Sequence, residues 1–226
     1  KFFVCRKMPN LERRVGESIS IIIPCKNEKG NIRKALEMMP SWDVEVEVIF
    51  IEGNSEDGTW DEIQAVNDGS WPFEIRAYIQ EGKGKGDAVR LGFEKAKHDI
   101  LMILDADLTV RPSDLPKFAE ALNSGRGEFI NGSRMVFPKE AEAMRFLNYL
   151  ANFAFSVMFS SLLGQRFTDT LCGTKVLRKR DYGKIAANRS YFGALDPFGD
   201  FDLIFGAAKL NLKVVEIPIK YRARGY

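Results

Sequence analysis

Between residues 18 and 104 one pattern repeats: a short apolar, β-branched run, a polar turn, and then a stretch of helical composition. The runs are Ser18–Pro24, Glu45–Ile51, Phe73–Ile79 and Ile100–Leu104. Apolar runs of this length fit strands buried on both faces. Asn31–Met39 (stopped by Pro40), Asp57–Val66 and a segment running to about Lys97 supply the intervening helices. Pro112–Leu122 reads as a further helix with Pro112 in its first turn, and a strand follows near Phe129–Ile130. Such alternation predicts an α/β fold with a mostly parallel central sheet and helices on both faces. Ligands in such folds bind at the carboxyl ends of the strands.

Beyond residue 130 the pattern loosens. Glu140–Leu163 reads as one long helix, Lys175–Ala187 is basic, and Asp200–Leu210 has helical composition. Val214–Ile219 reads as a strand, and Pro218 places it near an edge. No internal repeat or linker interrupts the chain, so one domain over 18–226 is expected after an N-terminal extension, 1–17. The 33 basic and 31 acidic residues leave a net charge of +2, which gives no case for a nucleic acid partner. Three cysteines without paired spacing fit a reducing, cytoplasmic setting. With one histidine, His98, the chemistry falls to carboxylates. Lys1–Arg14 lacks the charged-then-apolar pattern of a leader, and further sequence is expected before Lys1 and after Tyr226.

Each polar motif follows a strand. Asp105-Ala106-Asp107 closes the fourth run, and carboxylates two apart on extended chain point to one side. Two hard oxygen ligands suit Mg²⁺ or Mn²⁺ when a diphosphate supplies further oxygens. A solvated turn is the plain alternative. Pro24-Cys25-Lys26-Asn27-Glu28 follows the first run, where Asn27 and Glu28 could bind a base or ribose or Asn27 could simply cap a helix. After the second run comes Glu52-Gly53-Asn54-Ser55, readable as a base-binding loop or as turn chemistry alone. The glycine-rich Gly82–Arg90 could bring amides, Lys85 and Arg90 to a phosphate; it lacks Walker spacing and could also be a surface loop.

In this order the motifs resemble the family-two inverting glycosyltransferases of GT-A fold. Asn131-Gly132-Ser133-Arg134, Asp169-Thr170-Leu171-Cys172-Gly173-Thr174-Lys175 and Asp200-Phe201-Asp202-Leu203 are similar to the dolichyl- or polyprenyl-phosphate sugar synthase branch. The resemblance implies a nucleotide-sugar-binding half over 18–110 and an acceptor-side half over 111–226. It implies that Pro24, Lys26, Asn27, Glu28, Glu52, Asn54, Lys85, Arg90, Asp105 and Arg224 meet a UDP- or GDP-linked donor. Asp105 and Asp107 would hold Mg²⁺ or Mn²⁺, and Arg134, Asp200 and Asp202 would form the acceptor side. Gly53 stands where the family has a second acid, Lys26 replaces a frequent aromatic, and Thr109 stands where some members have Gln beside the metal.

If the acceptor is a hydroxyl, Asp200 is the candidate base; a lipid phosphate needs none, and is the expected acceptor. A nucleotide-sugar-binding domain without turnover is the remaining alternative. Phe146–Leu163 is apolar apart from Tyr149, Ser161 and a stripe at Asn148, Asn152, Ser156 and Ser160. That stripe argues against a lipid-exposed span and leaves a core helix or an interfacial one at the inner face of a membrane. The basic run Arg178-Lys179-Arg180 would suit anionic headgroups or form a solvated face.

Overall fold

The computed structural model describes residues 17–136, 146–189 and 199–220, the side chains of 146–149 excepted. Its strands are β1 (Ile19–Cys25), β2 (Val46–Glu52), β3 (Glu74–Ile79), β4 (Ile100–Ile103), β5 (Phe129–Ser133), β6 (Lys175–Arg178) and β7 (Val214–Pro218). They form one sheet in the order β3-β2-β1-β4-β6-β5-β7. The helices are α1 (Ile32–Glu37), α2 (Thr59–Asn67), α3 (Lys85–Lys95), α4 (Leu115–Asn123), α5 (Phe146–Leu163), α6 (Lys179–Ala187) and α7 (Asp200–Lys209). A short 3-10 turn, Pro112–Asp114, leads into α4. The part of the expected long helix before Phe146 lies outside the described residues.

The apolar runs are strands for the reason their composition suggests. Ile21 and Ile23 of β1 pack into one core layer with α1, α2 and α4, and Ile22 packs into the other with α3, α6 and α7. All three isoleucines are fully buried. The first four strands pair in parallel, and β7 pairs in parallel with β5 at the sheet edge, where Pro218 withholds no needed donor.

One strand departs from expectation. The basic stretch Lys175–Ala187 divides into β6 and α6, and β6 runs antiparallel between β4 and β5. Val176 and Leu177 anchor opposite core layers, while Lys175 and Arg178 bracket them. A four-residue strand with charged ends carries too little apolar periodicity to stand out. It also withdraws Lys175 and Arg178 from the expected basic face, which keeps Lys179, Arg180 and Lys184 at the surface. Lys175 is fully buried, Arg178 pairs with Glu17 at 2.8 Å, and Lys179 donates to the Ala96 carbonyl at 2.6 Å.

At the amino ends of the strands, fully buried Glu47 ties β1, β2 and β3 together. Its carboxylate accepts from Ser20 Oγ (2.6 Å), the Lys97 amide (2.7 Å) and Arg76 (3.0 Å). Burial pushes the Glu47 carboxyl up, but these donors outweigh burial and hold it below the usual range. Glu47→Ala is expected to cost about 3 kcal/mol in urea unfolding, since a cation is left without its partner. A depressed folded pKa gives stability that is present above the unfolded value and lost as pH falls through the folded one. Glu47→Gln should therefore flatten the stability–pH curve below about pH 4 relative to wild type.

Candidate active site

Strand order reverses direction between β1 and β4, which leaves a crevice at the carboxyl edge of the sheet. Loops after β1, β2, β3 and β4 line a cleft of about 570 Å³ there. The first two loops are laced to each other. The Asn27 amide donates to Ser55 Oγ (2.9 Å), Asn27 Oδ1 accepts from the Glu56 amide (3.0 Å), and the Glu28 amide donates to Thr59 Oγ1 (2.9 Å). Asn27 and Asn54 adopt φ of 54° and 57°, a left-handed conformation that asparagine tolerates better than most residues.

This lacing separates the expected donor residues into two groups. Pro24, Lys26, Glu28, Asn54, Lys85 and Asp105 line the cleft together with Asp107. Asn27 and Glu52 build the loops instead: Glu52 is buried and accepts from the Asn54 (3.0 Å) and Ser55 (2.6 Å) amides. Glu52 therefore does not face the cleft as a base-reading acid would. Gln80, absent from the expected set, lines the cleft and donates to the Gly84 carbonyl at 3.3 Å.

Two ion pairs sit at and behind the deep end of the cleft. Lys85, the first residue of α3, is ion-paired with Asp105. Lys175 Nζ lies 2.5 Å from Asp200 Oδ1 and 2.5 Å from the Cys172 carbonyl. Burial drives the Asp105 carboxyl up, yet Lys85, Lys175 and Arg134 together hold it below the usual range. Burial likewise opposes the charge on Lys85, and Asp105 and Asp200 restore it, leaving Lys85 well above an ordinary lysine. Gly173 permits this close approach, because a Cβ there would sit 2.2 Å from Asp105 Oδ2 and 2.3 Å from Lys85 Nζ. Cys172, its neighbour, is pushed by burial to about 12 and is no nucleophile.

Asp107 Oδ1 accepts from the amide (3.1 Å) and hydroxyl (2.7 Å) of Thr109, so Thr109 orients this carboxylate. Leu108 between them has φ 55°, a conformation costly for a branched residue and held here by the turn. Among the described residues no three His, Cys, Asp or Glu side chains converge as a cation cage. Asp105 and Asp107 both line the cleft, and two hard oxygen donors are the kind of set that suits a divalent cation sharing a diphosphate's oxygens.

Arg134 is held by a carboxylate that the expected site did not include. Asp169 is fully buried and accepts from Arg134 Nε (2.6 Å), Arg134 Nη2 (2.8 Å) and Asn152 Nδ2 (3.0 Å). These bonds outweigh burial and lower the Asp169 carboxyl. Arg90 faces away from the main cleft. It lies 3.6 Å from Asp202, which Arg189 approaches to 3.3 Å, and both arginines line a separate depression behind the glycine loop. Arg224 lies outside the described residues.

The fold and this cleft define an α/β domain with a charged, polar cleft at the switch point of a mainly parallel sheet. Residues 20–185 match the Glycosyl transferase family 2, and the chain belongs to that family. It is 28% identical over 214 residues to a dolichol-phosphate mannosyltransferase of Pyrococcus furiosus, covering 92% of this chain and 58% of that one. A dolichol-phosphate mannosyltransferase of Saccharomyces cerevisiae is 34% identical over 109 residues, which is 46% of this chain and 40% of the relative. The chain thus spans 58% and 40% of the length of these curated relatives. Glucosyl-3-phosphoglycerate synthase from Mycobacterium tuberculosis, solved with Mn²⁺, UDP-glucose and phosphoglyceric acid, shares the fold at TM-score 0.67 and 17% identity. That match covers 96% of this chain and 74% of the synthase.

Gly173→Ala tests the paired floor. It should weaken nucleotide binding by roughly tenfold in calorimetry, as expected when one close charge pair is forced apart. The melting temperature should stay within about 4 °C of wild type.

Proposed function

We propose that this chain transfers a sugar from a UDP- or GDP-linked donor to a polyprenyl phosphate in one inverting displacement. Membership of family 2 and the names of the two mannosyltransferase relatives support the reaction class. One observation carries the choice of acceptor: both acids expected on the acceptor side are already matched by cations. Asp200 has Lys175 at 2.5 Å, and Asp202 has Arg189 and Arg90 at 3.3 and 3.6 Å. A general base must face the acceptor's hydroxyl, and Asp200 Oδ1 is instead turned onto the Lys175 ammonium. A phosphate nucleophile is already an anion and needs no base.

In this reading the loop amides of residues 82–85 and the Lys85 ammonium face the donor's phosphates. Pro24, Lys26, Glu28 and Asn54 bound the nucleoside end of the cleft. Arg134, fixed by Asp169, supplies positive charge to the acceptor phosphate. An acceptor oxygen attacks the anomeric carbon from the face opposite the departing diphosphate, and the bond to that diphosphate breaks as the new one forms. Mg²⁺ or Mn²⁺, held by Asp105 and Asp107, would neutralise charge gathering on the leaving group. Transfer to a hydroxyl would require Asp200 or Asp202 to part from its cations.

The reading also gives α5 a role at a lipid surface. Leu150, Phe153, Val157, Met158 and Leu162 are exposed, whereas Asn152 and Ser156 are buried. No helix among the described residues is long and apolar enough to cross a membrane. A helix that turns its polar stripe inward and its apolar residues outward suits the surface of a bilayer, with the acceptor's headgroup near Arg134.

Activity is expected only with a divalent cation, a nucleotide sugar and a polyprenyl phosphate together. Asp107→Ala should lower turnover by at least about 100-fold, as loss of the charge-neutralising group implies. No turnover with any UDP- or GDP-sugar, and no metal-dependent nucleotide binding, would leave a non-enzymatic domain. In vesicle flotation, Phe153→Ser with Leu162→Ser should weaken membrane binding by about tenfold or more while the melting temperature holds. Unchanged flotation would remove α5 from the membrane.

A further inference from the structure

Lys175 opens β6, the antiparallel strand set between β4 and β5, and its side chain is fully buried. Desolvating an ammonium is costly, and an apolar residue of the same length would pack there without that cost. Its two bonds go to the Cys172 carbonyl and to Asp200. Asp200 does not need a lysine to be tolerated at its position. It is the first residue of α7, where the helix N-terminus already favours a carboxylate.

The pair lies behind Lys85 and Asp105, which line the cleft. A Cβ on Gly199 would come within 2.7 Å of Gly86 Cα, so the first turns of α7 and α3 abut. The charge of Asp200 is felt by Lys85, and that of Lys175 by Asp105. An unpaired Asp200 would present a negative charge to any anion approaching this side, and a proton acceptor to water.

We propose that Lys175 determines acceptor specificity: by cancelling Asp200 it admits an anionic nucleophile and denies the site a base for water. The proposal rests on the phosphate-acceptor reading above. With Asp200 uncovered, hydrolysis would join a water oxygen to the anomeric carbon, break the bond to the diphosphate, and pass the water proton to the Asp200 carboxylate.

The test measures transfer to a short polyprenyl phosphate and donor hydrolysis in parallel, with melting curves for each variant. Lys175→Met should lower transfer by about tenfold or more through like-charge repulsion and raise hydrolysis, and unchanged hydrolysis would overturn the claim about water. The double variant Lys175→Met/Asp200→Asn, which removes both charges, should recover most of the transfer and lose the added hydrolysis. Equal losses of transfer and hydrolysis in Lys175→Met, or a folded double variant without recovery, would overturn the proposal. A wild-type protein that hydrolyses donor but never glycosylates the lipid phosphate would overturn the acceptor reading itself, and this role with it.

Discussion

Charge has few places to go in a sheet covered by helices on both faces. The central strands β1 and β4 carry no ionised residue, and many of the charged groups of this protein gather where the strands end. In and around the cleft four acids are met by bases: Asp105 by Lys85, Asp200 by Lys175, Asp169 by Arg134, and, on the far side of α3, Asp202 by Arg189 and Arg90. Leaving the fully buried Lys175 or Asp169 unmatched would cost several kcal/mol. The pairs also join α3 to β4, β6 to α7, and β5 to the segment before β6. Balancing the charge and assembling the site are thus one event in folding, and the cations are fixed before any phosphate arrives.

The antiparallel strand β6 makes this possible. A parallel strand at that position would end at the same edge as β1 and β4, whereas β6 begins there. Its first residue, Lys175, and the turn just before it, Cys172–Thr174, therefore lie beside the carboxyl end of β4. Two glycines let the turn come close. A Cβ on Gly132 would meet Cys172 Sγ at 2.6 Å, and Gly173 leaves room for the Lys85–Asp105 pair. The side of the cleft proposed for the donor is built by loops leaving parallel strands. The side proposed for the acceptor depends on one strand running the other way.

These two sides differ in how far the sequence reveals them. β1 to β4, the edge position of β7 and the helices between them could be read from apolar runs punctuated by polar turns, because a doubly buried strand has no other composition available. The cleft residues Pro24, Lys26, Glu28, Asn54, Lys85, Asp105 and Asp107 could be found for the same reason, each lying at a strand end or helix start. Glu52 and Asn27 lie at such ends too, yet their carboxylate and amide close turns by bonds to nearby backbone amides, which spacing alone does not distinguish from ligand binding. Arg90 sits on the far side of α3, a matter of helix rotation relative to a partner not yet placed. β6 is four residues long with charged ends, and its lysine and arginine resemble a solvated face until their partners are known. Asp169 sits within a motif that carries the family resemblance, but its value depends on Arg134 and Asn152 reaching it from two other segments.

In α5 the sequence pattern has its direction reversed. A polar stripe on an apolar helix ordinarily marks the solvent side, but here the stripe faces the protein because it has specific work there. Asn152 donates to Asp169 at 3.0 Å, and Ser160 Oγ accepts from the Phe167 amide at 2.9 Å, so the stripe satisfies the backbone and the carboxylate that hold Arg134. Burying the apolar face instead would leave Asp169 with one fewer donor and the 167–170 segment without these partners. The helix is thus oriented by hydrogen bonds, and hydrophobic burial is left to whatever meets its outer side. A single element then carries on its inner face a direct bond to the carboxylate that positions Arg134 and on its outer face the residues most suited to hydrocarbon. A lipid whose phosphate must reach a cation while its tail stays out of water is the kind of substrate that such a helix suits.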